Sequence, residues 1–170
     1  MNTRTLLPAV IVALVAVLSL SMYTVDEREL AIRFRLGKII ETDLAPGGQF
    51  KVPFINNVLK FPRQILTLTN PQELFLTFEK KNLLVDFFVK WRIVNVAEYY
   101  RATGGDEALA AQRMLEIVKD GIRGEFAKRT VPQVVTAERR ELLDNMLTNA
   151  RENALQLGIQ VIDVRVKRTE

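Results

Sequence analysis

The feature that most constrains this chain is an uncharged, apolar segment near its N-terminus. It covers residues 6–23, LLPAVIVALVAVLSLSMY, and charged residues resume at Asp26. A helix that rises about 1.5 Å per residue would extend about 27 Å over this segment, close to the roughly 30 Å hydrocarbon core of a bilayer. Pro8 falls in the first turn, where its missing N–H costs nothing, and Tyr23 falls where an aromatic ring meets lipid headgroups. The segment therefore predicts a transmembrane helix.

The side chains that represent this predicted anchor are Leu6, Val10, Leu14, Val17 and Tyr23. A cleavable signal peptide is one alternative, because Arg4 supplies a thin basic region and Ser19 and Ser21 form a small-x-small cleavage pattern. A buried core helix is another alternative. A helix that is apolar on every face needs protein all around it, however, and the rest of this chain is small. The pattern favours the transmembrane helix, and the signal peptide remains open.

The residue inventory excludes several kinds of catalysis. The sequence has no His and no Cys, and its only serines, Ser19 and Ser21, lie in the apolar segment. The folded part therefore cannot use serine–histidine or cysteine–histidine catalysis, or bind a metal through His or Cys. The sequence contains no phosphate-binding or calcium-binding loop motif. Neighbouring carboxylates such as Glu138 and Glu141 could take part in acid–base catalysis, but such pairs are typical of helix caps and surfaces. We expect no catalytic, cofactor-binding or metal site, and hence no enzyme.

Strand patterns dominate the chain between the apolar segment and Asn95. Residues 29–34 and 39–42 predict a hairpin with a turn at Gly37-Lys38, and residues 49–54 and 59–68 predict a second hairpin. Asn70-Pro71 predicts a break in the chain before the next strand. These signals indicate a sheet whose strands are mainly antiparallel.

The clearest strand pattern covers residues 83–93. All six odd positions are apolar, whereas Asp86, Lys90 and Arg92 lie at even positions. Because successive strand side chains point to opposite faces, this alternation predicts a half-buried strand. A helix would scatter the six apolar side chains around its axis.

Helix patterns dominate after Asn95. A short helix is predicted over residues 96–103, a second begins after the capping residue Asp106, and a third lies between Thr136 and Gly158, before a last strand over 159–166. The predicted apolar stripes are Ala111, Leu115, Val118, Ile122 and Phe126 on the second helix, and Leu143, Leu147, Ala150, Ala154 and Leu157 on the third. We predict an α+β fold with an N-terminal anchor (1–25), a strand-rich part (26–94) and a helix-rich part that ends in a strand (95–170).

A second candidate site is the predicted hairpin around residues 50–61, which is more apolar than a surface hairpin needs to be. Its apolar side chains are Phe50, Val52, Phe54, Ile55, Val58 and Phe61. Because the predicted span ends close by, the tip of this hairpin would enter the headgroup region of the membrane without further tethering. The alternative is ordinary sheet core.

The order of motifs resembles that of a known family. ELAIRFRLGKI, APGGQFKVPF, LKFPRQILTL, VDFFVKWRI and YYRATGG follow the apolar segment, and IQVIDVRVKR closes the sequence. The chain is similar to the SPFH or band 7 family (stomatin, prohibitin, flotillin and the HflK-HflC pair), and most similar to the bacterial HflC branch. Gly48 and Gln49 stand where the family usually has Leu and His, a departure at the hairpin tip.

The resemblance implies a twisted sheet with packed helices and a non-enzymatic scaffold. Such a scaffold alternates with an HflK-like paralogue in a ring or cage on the bacterial inner membrane. The cage encloses an FtsH-like AAA membrane protease and regulates its access to substrates. The other function that the resemblance implies is a stomatin-like organiser of membrane microdomains without a protease partner. The family also implies a long helix that continues past the position of Glu170.

The predicted orientation in the membrane rests on two arguments that disagree. Only Arg4 precedes the apolar segment, whereas Arg28, Arg33, Arg35 and Lys38 follow it. The positive-inside rule therefore places the folded part in the cytoplasm, although the rule weakens for long domains. The resemblance implies a single-pass protein with its folded part in the periplasm, and we expect that orientation.

Overall fold

The computed structural model describes residues 12, 15, 18–130 and 139–169. The anchor residues Leu6, Val10, Leu14 and Val17 lie outside this part of the chain, as does Thr136. No helix within the described residues is long and apolar enough to cross a membrane. Residues 18–21 are helical and Met22–Val25 form a strand, so Tyr23 lies on a strand and not on the predicted helix.

The chain forms two compact units, Met1–Pro62 and Arg63–Glu170. Unit 1 contains five antiparallel strands in two sheets, with β4 paired to β1 and with β2 between β3 and β5. These strands are β1 (Met22–Val25), β2 (Glu29–Arg35), β3 (Lys38–Thr42), β4 (Gly47–Phe50) and β5 (Asn56–Pro62).

The first predicted hairpin is confirmed as β2 and β3, joined by a turn at Leu36-Gly37. The second predicted hairpin is wrong, because β5 pairs with β2 from Glu29↔Pro62 to Arg35↔Asn56 and β4 pairs with β1. Gly47 and Gly48 give β4 few side chains for cross-strand contacts, whereas β2 offers β5 a full row of them. Local turn signals could not reveal this choice of partner.

The core of unit 1 surrounds β2. Leu30, Ala31 and Ile32 are buried in succession, so both faces of this strand are covered. Val25 and Leu44 form a cluster with Ala31, and Tyr23 and Val58 pack against it.

Unit 2 contains a three-stranded antiparallel sheet with the strand order β6-β7-β8. The helices of this unit lie between β7 and β8 in the sequence, and the two long ones contact β6 and β8. Its elements are β6 (Leu66–Leu76), β7 (Asn82–Ile93), α1 (Val96–Thr103), α2 (Glu107–Phe126), α3 (Arg139–Leu155) and β8 (Ile159–Thr169). The elements change from strands to helices near residue 95. The compact units divide at Arg63 instead, because β6 and β7 share a sheet with β8.

The long alternating strand is confirmed as β7, and all six of its odd-numbered apolar side chains from Leu83 to Ile93 are buried. The predicted break at Asn70-Pro71 is wrong. There β6 continues through an irregularity in its register with β7. The Asn70 side chain is buried, and its Nδ2 donates to the Pro71 carbonyl oxygen at 2.8 Å. This local hydrogen bond gives the buried side-chain amide of Asn70 a partner, and it stabilises the backbone at the irregularity.

Both long helices bury a stripe that differs from the predicted one in its N-terminal half. The structure buries Ala110 and Met114 in place of Ala111 and Leu115 on α2, and Leu142 and Met146 in place of Leu143 and Leu147 on α3. The C-terminal halves agree with the prediction, except that Leu157 lies after α3 and is only half-buried. One residue corresponds to about 100° of helix rotation, and the packing of each helix against its neighbours fixes that rotation.

Gly158 joins α3 to β8 in a backbone conformation that favours glycine, with φ +69°. Its carbonyl oxygen accepts hydrogen bonds from the N–H groups of Val94 and Asn95, at 3.0 and 3.1 Å. A Cβ at this position would collide with the Asn95 carbonyl oxygen and lie 2.6 Å from the Tyr99 nitrogen. The end of β7, the start of α1 and the start of β8 therefore meet at a point where only glycine fits.

Candidate membrane-contact site

The predicted apolar hairpin corresponds to the loop between β4 and β5. Phe50, Val52, Phe54 and Ile55 are exposed, and Phe54 is 93% exposed. The backbone N–H of Leu36, at the β2–β3 turn, donates to the Ile55 carbonyl oxygen at 3.3 Å, and the Leu36 side chain is 83% exposed. We call these five exposed residues the apolar tip.

The loop is held by backbone hydrogen bonds within unit 1. The Lys51 N–H donates to the Ser21 carbonyl oxygen at 2.8 Å, and the Asn56 N–H donates to the Val52 carbonyl oxygen at 3.0 Å. The Asn56 side chain is buried, and its Oδ1 accepts from Arg35 Nε at 3.3 Å. These hydrogen bonds hold the backbone of the loop that carries the apolar tip.

Arg33 on β2 also positions the loop. Its Nη1 donates to the Phe50 carbonyl oxygen at 2.9 Å, and its Nη2 pairs with the Glu41 carboxylate on β3. The Arg33 side chain is only 22% exposed. One guanidinium therefore links the end of β4 to two strands of the neighbouring sheet, as the forked geometry of arginine allows.

Two residues of the tip have a backbone conformation that is unfavourable for large side chains. Leu36 has φ +49° and Phe54 has φ +67°. For a residue with a Cβ the left-handed region costs about 1–2 kcal/mol, and an exposed apolar side chain offers no burial in return. Leu36 and Phe54 thus combine a left-handed backbone with an exposed apolar side chain.

The other predicted site residues have different environments. Phe61 is buried and Val58 is half-buried against the unit 1 core, so for these two the alternative of ordinary sheet core is correct. Tyr23 is half-buried on β1, and Lys51 Nζ lies 5.9 Å from the centre of its ring. Sequence reasoning missed Leu36. An isolated leucine before Gly37 in a predicted turn was the signal that could have identified it.

Two open grooves lie beside α3 in unit 2. One lies between α2 and α3 and has a volume of about 450 Å³. Of the carboxylates that line it, Asp120 forms an ion pair with Arg123, and Glu125 forms one with Lys128. The other is between α3 and β8 and has a volume of about 350 Å³. Paired carboxylates are poorly suited to acid–base catalysis. No group of three or more acidic residues suited to a metal ion occurs in the described part of the chain.

Glu125 is the centre of an ion-pair network at the end of α2. Its side chain is 8% exposed, and it pairs with Arg129 and with Lys128, whose Nζ lies 3.3 Å from Glu125 Oε1. Arg129 Nη2 also lies 3.6 Å from Oε1 of Glu141 on α3. Burial raises the pKa of Glu125, but the hydrogen bonds from Arg129 and Lys128 outweigh burial and hold that pKa below its usual value. Glu125 is thus paired with two cations and is not a free acid.

Comparison with known proteins identifies the family. Residues 23–170 match the SPFH domain / Band 7 family, a match that covers unit 2 and the part of unit 1 from residue 23 onward. The chain belongs to this family. The apolar tip is thus a feature of the first unit of an SPFH domain, and the helix-covered sheet is the second unit of the same domain.

The SPFH chain is also similar to curated relatives. It is 36% identical over 176 residues to "Protein HflC" of Haemophilus influenzae, a match that covers 97% of this chain and 59% of the relative. It is 32% identical over 206 residues to "Modulator of FtsH protease HflC" of Escherichia coli K12, which covers 94% of this chain and 62% of the relative. The chain therefore spans about three fifths of the length of these relatives.

Proposed function

We propose that this SPFH chain is a non-enzymatic membrane scaffold, an HflC-like subunit that regulates the access of substrates to an FtsH-like protease. The proposal rests on the name of the Escherichia coli relative, a modulator of FtsH protease, and on the similarity over most of this chain. In the structure, the observation that supports a membrane role is the apolar tip, which is strained, exposed and held in place by backbone hydrogen bonds. An HflK-like paralogue completes the proposed assembly.

The proposed membrane topology is a single pass through the apolar segment that precedes β1, in the bacterial inner membrane, with the SPFH domain in the periplasm. A reporter that is active only in the periplasm, fused after Glu170, would show activity if this orientation is correct. Activity of a matched cytoplasmic reporter instead would contradict it and would support the positive-inside argument.

The protease role is tested by purification of the tagged full chain from membranes in mild detergent. Co-isolation of a hexameric AAA protease together with an HflK-like partner would support the scaffold. Their reproducible absence would favour a stomatin-like organiser of membrane microdomains.

The contact of the apolar tip with lipid is tested separately with Phe54→Trp in vesicles that contain brominated lipids. Brominated chains quench an indole that enters the bilayer, so we expect the fluorescence of the new Trp to fall. Leu155→Trp, an exposed position on α3, is the control, and Trp91 is buried in both variants. Equal quenching of the two variants would contradict the proposed contact.

A further inference from the structure

Three cationic side chains lie beside the apolar tip. Arg35 precedes Leu36 in the chain and is the strand partner of Lys38, and Lys51 follows Phe50. Arg35 and Lys38 are exposed, and Lys51 is half-buried. Residues 34–40 and 47–58, which form the tip and its flanks, contain these three cations and no carboxylate. The apolar tip therefore has uniformly positive charge beside it.

The charge of these three cations is not compensated by ion pairs. Two other cations of unit 1 are neutralised, since Arg33 pairs with Glu41 and Lys60 Nζ lies 2.7 Å from Glu29 Oε2. The three cations beside the tip form no ion pair with any residue that the structure describes. Their charge is therefore available to a ligand outside the described part of the chain.

Arg35 is held in a position that suits the binding of a phosphate group. Its Nε donates to Oδ1 of the buried Asn56 at 3.3 Å, which fixes the side chain at the end of β2. Its Nη1 and Nη2 donate to no residue within 18–130 or 139–169. A guanidinium group can bind one phosphate through two parallel N–H groups, and a lysine ammonium adds a point charge.

The tip and its cations lie where the chain enters unit 1 from the apolar segment. The Lys51 N–H donates to the carbonyl oxygen of Ser21, the last residue of the helical stretch 18–21. Phe50 is the strand partner of Met22 at the start of β1. In the proposed topology, the tip and its cations therefore lie at the level of the lipid headgroups.

The opposite end of β2 has a different charge. Asp26, Glu27 and Glu29 lie there, together with Arg28. β2 has seven residues, so its two ends are about 20 Å apart, which exceeds the screening length of about 10 Å at 0.1 M salt. The positive charge is therefore concentrated at the end of β2 that carries the apolar tip.

We propose that the apolar tip, together with Arg35, Lys38 and Lys51, binds anionic phospholipids. The apolar side chains enter the boundary between headgroups and acyl chains, and the cations bind the phosphates of the surrounding headgroups. Apolar area combined with basic charge is what attaches interfacial segments to a negatively charged bilayer. This inference rests on the proposed lipid contact and adds the class of lipid that the contact selects.

Selection for anionic lipid is tested with the full chain carrying Phe54→Trp, reconstituted in two kinds of vesicle. Both contain the same fraction of brominated phosphatidylcholine, and one also contains phosphatidylglycerol. We expect stronger quenching in the vesicles with phosphatidylglycerol. Each basic residue near an anionic surface strengthens binding by about fivefold. Arg35→Gln with Lys38→Gln should therefore weaken docking of the tip by about twentyfold in these vesicles and leave it unchanged in phosphatidylcholine alone.

Arg28→Gln is the matched control for the loss of charge. Arg28 is exposed, forms no ion pair among the described residues and lies at the other end of β2, so this variant should behave like the parent chain. Arg35→Lys keeps the charge but loses the hydrogen bond to Asn56, and most of the lipid preference should remain.

Two further measurements separate charge from folding. An increase in salt from about 0.1 M to about 0.5 M should reduce the preference for phosphatidylglycerol, because it screens exposed charges. An unchanged thermal unfolding midpoint would show that the variants still fold. Should the double variant unfold, Lys38→Gln alone should still weaken docking by about fivefold.

Equal quenching in the two kinds of vesicle would overturn the proposed selection and leave the lipid contact of the tip standing. Competition by inorganic phosphate at constant ionic strength would assign the cations to free phosphate instead. Loss of an HflK-like partner from the double variant, with quenching unchanged, would assign them to a protein surface, and either result would overturn the proposal. Absence of quenching in both kinds of vesicle would overturn the lipid contact itself, whereas co-isolation of the protease tests the scaffold function separately.

Discussion

Phe54 in unit 1 and Phe87 in unit 2 are the same residue type at opposite extremes, 93% and 0% exposed. Phe87 lies on β7, whose odd-numbered apolar side chains are all buried. Phe54 lies in a loop with a left-handed backbone and has no core to face. Large apolar residues stabilise unit 2 by burial, whereas those at the tip of unit 1 are available for a contact with another phase or molecule.

The strongest test of this contrast is the same substitution at both positions. Phe87→Ala should lower the free energy of unfolding by about 3–5 kcal/mol, because it removes buried apolar area and leaves a cavity. Phe54→Ala should change it by less than about 0.5 kcal/mol. Denaturant unfolding of the detergent-solubilised chain, followed by circular dichroism, would measure both. A comparable loss at Phe54 would show that the tip belongs to the core of unit 1.

The next largest effect is expected at the junction of α3 and β8. Gly158→Ala should lower the free energy of unfolding by at least about 3 kcal/mol, because the new Cβ meets backbone atoms that cannot move aside. Gly104→Ala is the matched control. Gly104 also has a positive φ, but nothing lies within 4 Å of a Cβ there, so its cost should be about 1 kcal/mol. Equal costs for the two variants would show that backbone strain alone decides the effect.

A smaller effect that depends on pH is expected at Glu125. Glu125→Gln should cost about 2 kcal/mol at neutral pH, because it removes the nearer of the two carboxylates that pair with Arg129, whose side chain is only 13% exposed. The pKa of Glu125 is lowered in the folded state, so its stabilisation is present above the usual value of 4.5 and is lost as the pH falls through the folded value. Thermal unfolding from pH 7 to pH 3 should show the two proteins converge. A constant difference would mean that the ion pair contributes little.

The smallest effect is expected at the strained turn of the apolar tip. Leu36→Gly relieves the left-handed backbone but makes the unfolded chain more flexible, so the free energy of unfolding should stay within about 1 kcal/mol of its original value. Quenching of Phe54→Trp by brominated lipids should fall in the same variant, because one of the five apolar side chains of the tip is gone. Unchanged quenching would show that Leu36 does not take part in the lipid contact.

Local patterns predicted those parts of the fold in which one residue type repeats at one period. The six apolar odd positions of β7 required a strand, and Asp106 was recognisable as a helix cap. The family motifs also lie in short local stretches of sequence. These features depend on the backbone geometry of a few neighbouring residues, which sequence specifies directly.

Partner choice and helix rotation were decided only by the tertiary structure. The β4–β5 hairpin was expected from its turn, yet β5 pairs with β2, since a longer strand offers it more contacts. Leu143 and Leu147 were expected in the core, yet Leu142 and Met146 fill it. Several strand pairings and helix rotations are equivalent by local sequence. The one that buries the most apolar area is selected, and that area depends on residues far apart in the chain.

The candidate membrane-contact site shows the same division between what the sequence and what the tertiary structure determined. The sequence by itself determined that residues 50–55 are unusually apolar and that catalysis by His, Cys or Ser is absent from the folded part. Only the tertiary structure separated exposed Phe50 and Phe54 from buried Phe61 and brought Leu36 beside Ile55. Exposure is a property of the packed fold, because a side chain is exposed only when no distant part of the chain covers it.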